Sequence, residues 1–389
     1  MSKKKISQKN AVFALEPDGF SIHTLELSAK VTGREYIEMK ETLYHQQEND
    51  PQKGWMYRKD SKNDKWEKHV CNLYCTHGVR VILECNNNDT CDTHFVRMVI
   101  NPRKIIDPDS SYLGILPPEK SSIKKLKKSF QALFEDSVFF NDIDGYKLSR
   151  LDLCTNIRCD NQSLFRELVR VLRKLPTPPK YERKLYKHED KKKANRYNKH
   201  YLRYHCGTHE LIIYDKTYQI SENNLVIAYE KLPKGVLRFE VHCEREYLRK
   251  LEKKHNIEKP VDLLWFMIEH SQELLTKHFD KCFSNDIFVQ VDEMEERIKK
   301  SRLEEKTKEM MLKLGQYMQR IQSVDKALDK MKKEGYNTDN LLEKFKTLEI
   351  SPIPLRKDFC AKQLPGPVHL LRAVADGDLE VRYEEKKWK

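Results

Sequence analysis

The chain has 389 residues, of which 39% are hydrophobic and 34% charged, and its formal net charge is +13 at pH 7. This length predicts two or three compact units, or one large fold with an appendage. The basic balance favours a polyanionic partner, most often nucleic acid, over other classes of ligand. An acidic membrane surface is the competing partner. The sequence has no run of about 18 apolar residues and no basic segment leading into an apolar core, so we expect no membrane partner and a cytoplasmic location.

Alternating apolar residues predict several strands in the first 160 residues. These strands are residues 22–27, 71–85, 94–101 and 149–154. The third stops at Pro102, which cannot continue a central strand. Residues 46–68 are polar and rich in lysine, which predicts a hairpin or loop with Trp55 and Trp66 on paired strands.

Helical periodicity lies between and after these strands. Residues 121–134 carry an apolar stripe with lysines on the remaining surface, and a second helix follows Asn161, a suitable N-cap. Further strands are predicted at residues 210–216, 225–229 and 237–242, and further helices at 262–279 and within 290–350. This order implies an α+β fold with a largely antiparallel sheet and helices on one face. We expect a first domain at residues 1–285 and a mostly helical second domain, for DNA or partner binding, at residues 286–389.

Ten cysteines raise the question of zinc or disulfides. A zinc site can be drawn from six residues, namely Cys71, Cys75, Cys85, Cys91, His77 and His94. The spacing contains no Cys-x2-Cys pair, and part of the segment has the alternation of a strand. Reduced thiols, several of them buried in strands, are the favoured interpretation.

Three central strands each combine an apolar face with a polar one. They lie around Asp152, Tyr214 and Glu240, and the residues on either side of each are largely apolar. Because successive side chains alternate between faces, these three groups project from one side of a sheet if the strands are neighbours. Two carboxylates can hold a divalent cation, and the cation can activate a phosphodiester towards attack by a tyrosine.

Residues 180–205 form a basic, tyrosine-rich stretch that leads directly into the Tyr214 strand. The stretch contains ten lysines or arginines, three acids and five tyrosines. Cations neutralise phosphates, and tyrosine rings stack on unpaired bases at roughly 1–3 kcal/mol each. The alternative is a solvated flexible loop. The residues expected to bind DNA are Lys191, Lys192, Lys193, Arg196, Tyr197, Lys199, Tyr201 and Arg203.

The amino-acid sequences of three segments resemble those of a known protein family. Ser149–Asp152, Ile213–Lys216 and Leu237–Glu240, followed by Tyr247-Leu248, are similar to segments of rolling-circle replication initiators. The likeness is to the group that includes the filamentous-phage gene II replication proteins, and to the initiators of small Gram-positive plasmids. It spans roughly residues 94–255, and the tail at 334–354 also looks like theirs.

The resemblance implies a DNA nicking and joining enzyme with the nuclease fold of these initiators, acting in the cytoplasm of a bacterial host. Tyr214 would be the nucleophile, forming a 5′-phosphotyrosyl link and freeing a 3′-OH primer. Asp152 and Glu240 would bind Mg²⁺ or Mn²⁺, and Lys216 would steady the phosphate charge. Arg150 and Arg238 would contact phosphate or carboxylate groups. Origin DNA, single-stranded or supercoiled, is the expected partner, with a host helicase as a candidate second partner.

Departures from the family pattern leave the ligand set open. Related chains often carry an acid in the strand before Asn-Pro, where this chain has Arg97 and Val99, and a second acid where it has Asn156. The His-hydrophobe-His motif of many other rolling-circle nucleases is missing. Two further classes fit the basic surface. One is a repressor or copy-number regulator that binds DNA without cutting it, and the other is an RNA-binding protein.

Overall fold

A large antiparallel sheet organises the protein. The computed structural model describes residues 8–48, 56–59, 66–72, 74–88, 91–225 and 233–384. The strands of the described residues are β1 (Gln8–Val31), β2 (Met56–Lys59), β3 (Trp66–Cys71), β4 (Val79–Asn88), β5 (Cys91–Ile100), β6 (Lys147–Cys159), β7 (Glu182–Arg183), β8 (Tyr201–Cys206), β9 (His209–Asp215), β10 (Val236–Glu244), β11 (Ile287–Val289), β12 (Gln363–Pro365) and β13 (Leu379–Glu384).

The helices lie between and after these strands. They are α1 (Gly33–Glu48), α2 (Pro102–Ile106), α3 (Lys120–Leu133), α4 (Gln162–Leu172), α5 (Lys191–Asn198), α6 (Lys216–Glu222), α7 (Arg245–His255), α8 (Pro260–Glu269), α9 (Ser271–Asp280), α10 (Val291–Lys300), α11 (Glu305–Arg320), α12 (Val324–Lys333), α13 (Leu341–Lys346) and α14 (Pro367–Asp376). The α+β class and the largely antiparallel sheet predicted from the sequence are confirmed. The predicted N-cap is also present, since the Asn161 side chain accepts from the backbone N–H groups of Ser163 and Leu164.

The sheet order places the three predicted site strands side by side. The order is β2-β3-β4-β5-β1-β6-β10-β9-β8-β7, with β13 pairing to β1. Strand β10 therefore lies between β6 and β9, and both of these pairings are antiparallel. This arrangement brings the Asp152, Glu240 and Tyr214 strands into direct contact.

Helices α8 and α9 cover the apolar face of these strands. Leu153 and Phe239 have no exposed surface, and the Phe239 ring packs against Phe279 of α9 at 5.3 Å between centroids. Burial of this apolar surface is the main source of stability for the sheet. Because the helices occupy this face, the polar side chains of the same strands lie on the opposite face.

Two segments differ in structure from the sequence prediction. The helix expected at 262–279 is two helices, α8 and α9, which meet at His270. The basic stretch contains a helix, α5, whose N-cap Asp190 accepts from the backbone of Lys192 and Lys193. Residues 226–229 of the strand expected at 225–229, and Trp55 of the expected hairpin, lie outside the described residues.

The C-terminal region returns to the large sheet. Strand β13 pairs with the first residues of β1, from Gln8↔Glu384 to Phe13↔Leu379. The Thr177 backbone and hydroxyl donate to Asp325 of α12, and Val324 donates to the Lys174 carbonyl. The expected division at residue 285 stays a prediction, and these contacts cross it. None of the helices in the described ranges is both long and apolar enough to cross a membrane.

A buried histidine beneath the sheet predicts an acid-sensitive stability. His278 of α9 is 6% exposed and its Nε2 lies 3.1 Å from the Tyr247 hydroxyl. Burial, with help from His209 and neighbouring lysines, lowers its pKa to about 3. The unfolded chain binds this proton near pH 6.5, so the stability from the neutral ring is present above pH 6.5 and falls as the pH drops towards 3.

We expect His278→Gln to flatten the pH dependence of unfolding between pH 6.5 and 4 by up to about 1.4 kcal/mol per pH unit. Urea unfolding of both proteins at several pH values measures this difference. Equal slopes in the two proteins would show that His278 does not carry the acid sensitivity.

Candidate active site

The structure brings Asp152, Glu240 and Tyr214 to one face of the sheet, as strand alternation predicts. In the register, His242 is opposite Asp152 on one side, and Arg238 is opposite Tyr214 on the other. Glu240 lies between these two positions of β10 on the same face. All three predicted groups are buried, with exposures of 2% for Asp152, 5% for Glu240 and 7% for Tyr214.

Asp152, Glu240 and His242 form the one group of potential metal ligands in the described parts of the chain. One ligand atom from each lies within 4.8 Å of the others. Two carboxylates and an imidazole suit Mn²⁺ and related divalent cations. The donor set therefore fits the expected cation, although one of its members was not predicted as a ligand. The cysteines and histidines of the alternative zinc site form no such group among the described residues, and the side chain of Cys91 lies outside them.

His242 is the main site residue that the sequence prediction missed. Its Nε2 lies 2.5 Å from Glu240 and 3.7 Å from Asp152, and its Nδ1 lies 3.3 Å from Glu210. Burial alone would lower the pKa of this imidazole, but the three carboxylates outweigh it and raise the pKa to about 10. The spacing Glu240-Val241-His242 already placed both side chains on one face. The electrostatic field here favours a positive charge, which a divalent cation also supplies.

Arg150 orients the second carboxylate of the group. Its Nε and Nη2 donate to the two oxygens of Asp152 at 2.9 and 2.8 Å. Such a bidentate pair fixes the plane of the carboxylate as well as its charge. Burial alone would lower the Arg150 pKa, but Asp152 outweighs it and raises that pKa above its ordinary value. Arg150 is thus a carboxylate partner, one of the two roles expected for it, and its side chain is 27% exposed.

Tyr214 is connected directly to the ligand group. Its hydroxyl donates to Glu240 Oε2 at 3.0 Å. Burial, followed by the Glu240 charge, raises the pKa of the phenol well above its usual range. The hydroxyl therefore stays protonated, and it donates its hydrogen bond to the Glu240 carboxylate.

A stack of tyrosine rings leads from Tyr214 towards the surface. Tyr201 stacks on Tyr214 at 4.8 Å, Tyr197 on Tyr201 at 4.0 Å, and Tyr186 packs on Tyr197 at 4.4 Å. The two inner pairs are nearly parallel, with interplanar angles of 6° and 9°. The basic stretch thus supplies the wall beside the site rather than a separate loop.

A cavity of about 260 Å³ connects these features. Its lining includes both ends of the tyrosine stack, the Glu240 and His242 side chains, and the cations Lys184 and Arg203. Arg203 Nε donates to the Glu210 carboxylate at 2.9 Å, and the same carboxylate contacts His242. A molecule bound in this cavity would contact aromatic rings, cationic side chains and two of the potential metal ligands.

Arg238 lies beneath the site rather than on a DNA-facing surface. It has no exposed surface, and it donates to Asn156 Oδ1 and to the Leu113 carbonyl, each at 2.7 Å. Asn156, which stands where an acid was expected, donates to the same carbonyl at 2.8 Å. This burial does not favour the DNA contact expected of Arg238, and its contacts make it a support for the strand that carries Glu240.

Lys216 is similarly buried, with 1% exposure, and its Nζ donates to Gln219 at 2.8 Å. Burial, then the nearby Arg238 charge, lowers its pKa well below the usual range. Gln219 lines the cavity, whereas Lys216 is outside the lining. The direct phosphate contact expected of Lys216 is therefore not favoured by this position.

The other expected DNA-binding residues are on or beside α5. Lys191, Lys192, Lys193 and Lys199 are exposed, and none of the three successive lysines forms an ion pair with the described residues. Arg196, by contrast, pairs with Glu222 at 2.9 Å. Positive charge without an acidic partner is available to an anionic ligand at the first turn of α5.

Arg97 explains the position where an acid was expected in the strand before Asn-Pro. Its guanidinium donates to Glu26 and Glu84, with the shortest contact to each at 2.9 Å. These carboxylates are buried on neighbouring strands, and the arginine neutralises them. The site strands therefore continue into an ion-paired surface rather than into further ligands.

Comparison of the sequence with protein-family models and with curated proteins finds no match. The resemblance to rolling-circle initiators remains an interpretation of short motifs.

The buried position of Arg238 predicts a large stability effect. Arg238→Met removes two hydrogen bonds and leaves the Leu113 carbonyl and Asn156 with fewer partners. We expect a loss of about 3–5 kcal/mol in the free energy of unfolding. The control is Arg158→Met on the neighbouring strand β6, because Arg158 is 52% exposed and pairs with Glu16 at 3.4 Å. That change should cost less than about 1 kcal/mol. Urea unfolding measures both variants, and similar losses would contradict a special role for the buried arginine.

Proposed function

We propose that the protein is a metal-dependent DNA nicking and joining enzyme that initiates rolling-circle replication with Tyr214 as the nucleophile. The observation that carries the proposal is the 3.0 Å hydrogen bond from the Tyr214 hydroxyl to Glu240, itself one of three clustered potential metal ligands. A tyrosine held against a metal-type carboxylate, at a cavity with basic and aromatic walls, suits phosphodiester chemistry better than DNA binding alone.

The proposed reaction is a transesterification. The Tyr214 oxygen attacks the scissile phosphorus and loses its proton to solvent by way of the Glu240 carboxylate. The bond from phosphorus to the 3′-oxygen breaks, and the 3′-oxygen takes up a proton from solvent. The products are a 5′-phosphotyrosyl link and a 3′-OH end, and attack by a 3′-OH reverses the step. No oxidant or nucleotide cofactor is required, because one phosphodiester bond replaces another.

The ligand group and its supports prepare the reacting atoms. A divalent cation, Mg²⁺ or Mn²⁺, held by Asp152, Glu240 and His242 would withdraw charge from the scissile phosphate. Arg150 fixes the orientation of Asp152, and Glu210 holds His242 from the other ring nitrogen. These hydrogen bonds keep the donors in place before DNA arrives.

The cavity wall supports single-stranded DNA as the substrate. Tyr186 is 39% exposed at the outer end of the stack, where an unpaired base can extend the series of rings. The lysines of the first turn of α5 can neutralise the phosphates of the same strand. Bases in a duplex are already stacked and are not available for this contact.

Covalent trapping tests the proposal. The protein is incubated with the single-stranded DNA of the genetic element that encodes it, with and without Mn²⁺, and the complex is denatured. Attachment that needs the metal, with one protein-linked 5′ end on sequencing, supports the proposal. Binding without attachment would instead support the repressor or copy-number regulator, and preference for RNA would support the RNA-binding class.

The lysines of α5 should set DNA affinity more than chemistry. Replacing Lys191, Lys192 and Lys193 with Gln should weaken single-stranded DNA binding and reduce the salt dependence of log affinity by about two to three units of slope. The nicking rate at saturating DNA should change little. The matched control replaces Lys124, Lys125 and Lys128, three exposed lysines of α3. A larger loss in the control would place the DNA track on α3.

A further inference from the structure

His23 lies at an irregular position of the central strand. Ile22 pairs with Leu153 and Thr24 with Asp152, so His23 is one extra residue on β1 with no counterpart on β6. Such a bulge interrupts the alternation and redirects a side chain, and bulges are common beside active sites. Alternation alone therefore does not predict the direction of His23.

One ring nitrogen of His23 has a partner, while the other does not. Nδ1 lies 2.9 Å from the Thr24 hydroxyl. Nε2 is buried and has no hydrogen-bond partner among the described residues. If Nδ1–H donates to the Thr24 oxygen, Nε2 carries a bare lone pair. Histidines that bind metals hold the other ring N–H in this way.

The surroundings of His23 are those of the proposed site. Burial, then the charges of Arg238 and Lys216, lower the pKa of His23 well below its usual value, and Glu240 and His242 also act on it. In the register, the next residue of β1, Thr24, pairs with Asp152, so His23 adjoins the strand position of a proposed ligand.

We infer that His23 is a fourth ligand of the proposed cation site and that this second imidazole makes the site selective for Mn²⁺ over Mg²⁺. The inference rests on the proposed metal-dependent function. Mg²⁺ favours oxygen ligands and retained waters, whereas imidazole nitrogen is a better ligand for transition metals. The compact group consists of Asp152, Glu240 and His242, so His23 must turn towards it when the cation binds.

Counting the nitrogens bound to Mn²⁺ tests the inference without relying on activity. The full-length protein, labelled with ¹⁵N-histidine, is loaded with Mn²⁺ and examined by electron spin-echo spectroscopy. We expect two coupled histidine nitrogens in wild type, and one each in His23→Gln and His242→Gln. His255→Gln, an exposed residue at the end of α7, should retain two.

Calorimetry gives a second, independent readout of selectivity. His23→Gln should weaken Mn²⁺ binding by about tenfold or more and Mg²⁺ binding by less than about threefold. One coupled nitrogen in wild type, or two in His23→Gln, overturns the inference and leaves the proposed function standing. No bound Mn²⁺ in wild type overturns both. The wild-type count decides the matter even if a variant fails to fold.

Discussion

Tyr214→Phe should reduce covalent attachment to DNA by at least about 10³-fold, because the change removes the proposed nucleophilic oxygen. DNA affinity should stay within about threefold, since the ring remains in the stack against Tyr201. The lost hydrogen bond to Glu240 should cost about 1 kcal/mol of folding stability, which leaves the protein folded. Denaturing gels of the trapped complex measure attachment, and fluorescence anisotropy measures affinity.

The neighbouring tyrosines are the controls for this experiment. Tyr201→Phe and Tyr197→Phe keep the stacked rings but remove hydroxyls that lie further along the cavity wall. Both variants should still form the covalent complex. If Tyr214→Phe still attaches to DNA while one of these two variants does not, the nucleophile is the tyrosine that the inactive variant lacks. Mass spectrometry of the DNA-linked peptide then identifies it directly.

The sequence predicted which side chains share a face of the sheet, but it did not predict how deeply each of them is buried. Alternation correctly grouped Asp152, Tyr214 and Glu240, because side chains on neighbouring strands must share a face when their register matches. Alternation gives no information about burial on the polar face. Arg238 and Lys216 therefore looked like phosphate-binding cations, although both side chains are buried.

The missed residues each depend on tertiary information. His242 was visible two residues after Glu240, but its role follows from Glu210 and Asp152, which come from two other strands. His23 depends on a bulge whose position is set by pairing with β6. The tyrosines of the basic stretch were recognised as base-stacking groups, yet their contact with Tyr214 requires the β8–β9 pairing.

The ligand assignment predicts a loss of metal binding when either carboxylate is neutralised. Asp152→Asn and Glu240→Gln keep the size of each side chain and remove its charge, so each should weaken Mn²⁺ binding by about 100-fold and abolish nicking. Packing should persist, since both amides can still hydrogen-bond Arg150 or Tyr214 through their oxygen. Calorimetry with Mn²⁺ measures affinity, and circular dichroism checks the fold.

A third carboxylate distinguishes ligand loss from a general change of charge. Glu26 is also buried on the polar face, at 7% exposure, but its charge is neutralised by Arg97 at 2.9 Å. Glu26→Gln should therefore leave Mn²⁺ affinity within about threefold of wild type, because it changes the net charge equally but removes no ligand. Equal losses of Mn²⁺ affinity in all three variants would mean that the cation responds only to the total negative charge on this face of the sheet. Unchanged affinity in Asp152→Asn and Glu240→Gln would remove both residues from the metal site, and Tyr214 would then lack the activated phosphate that its chemistry requires.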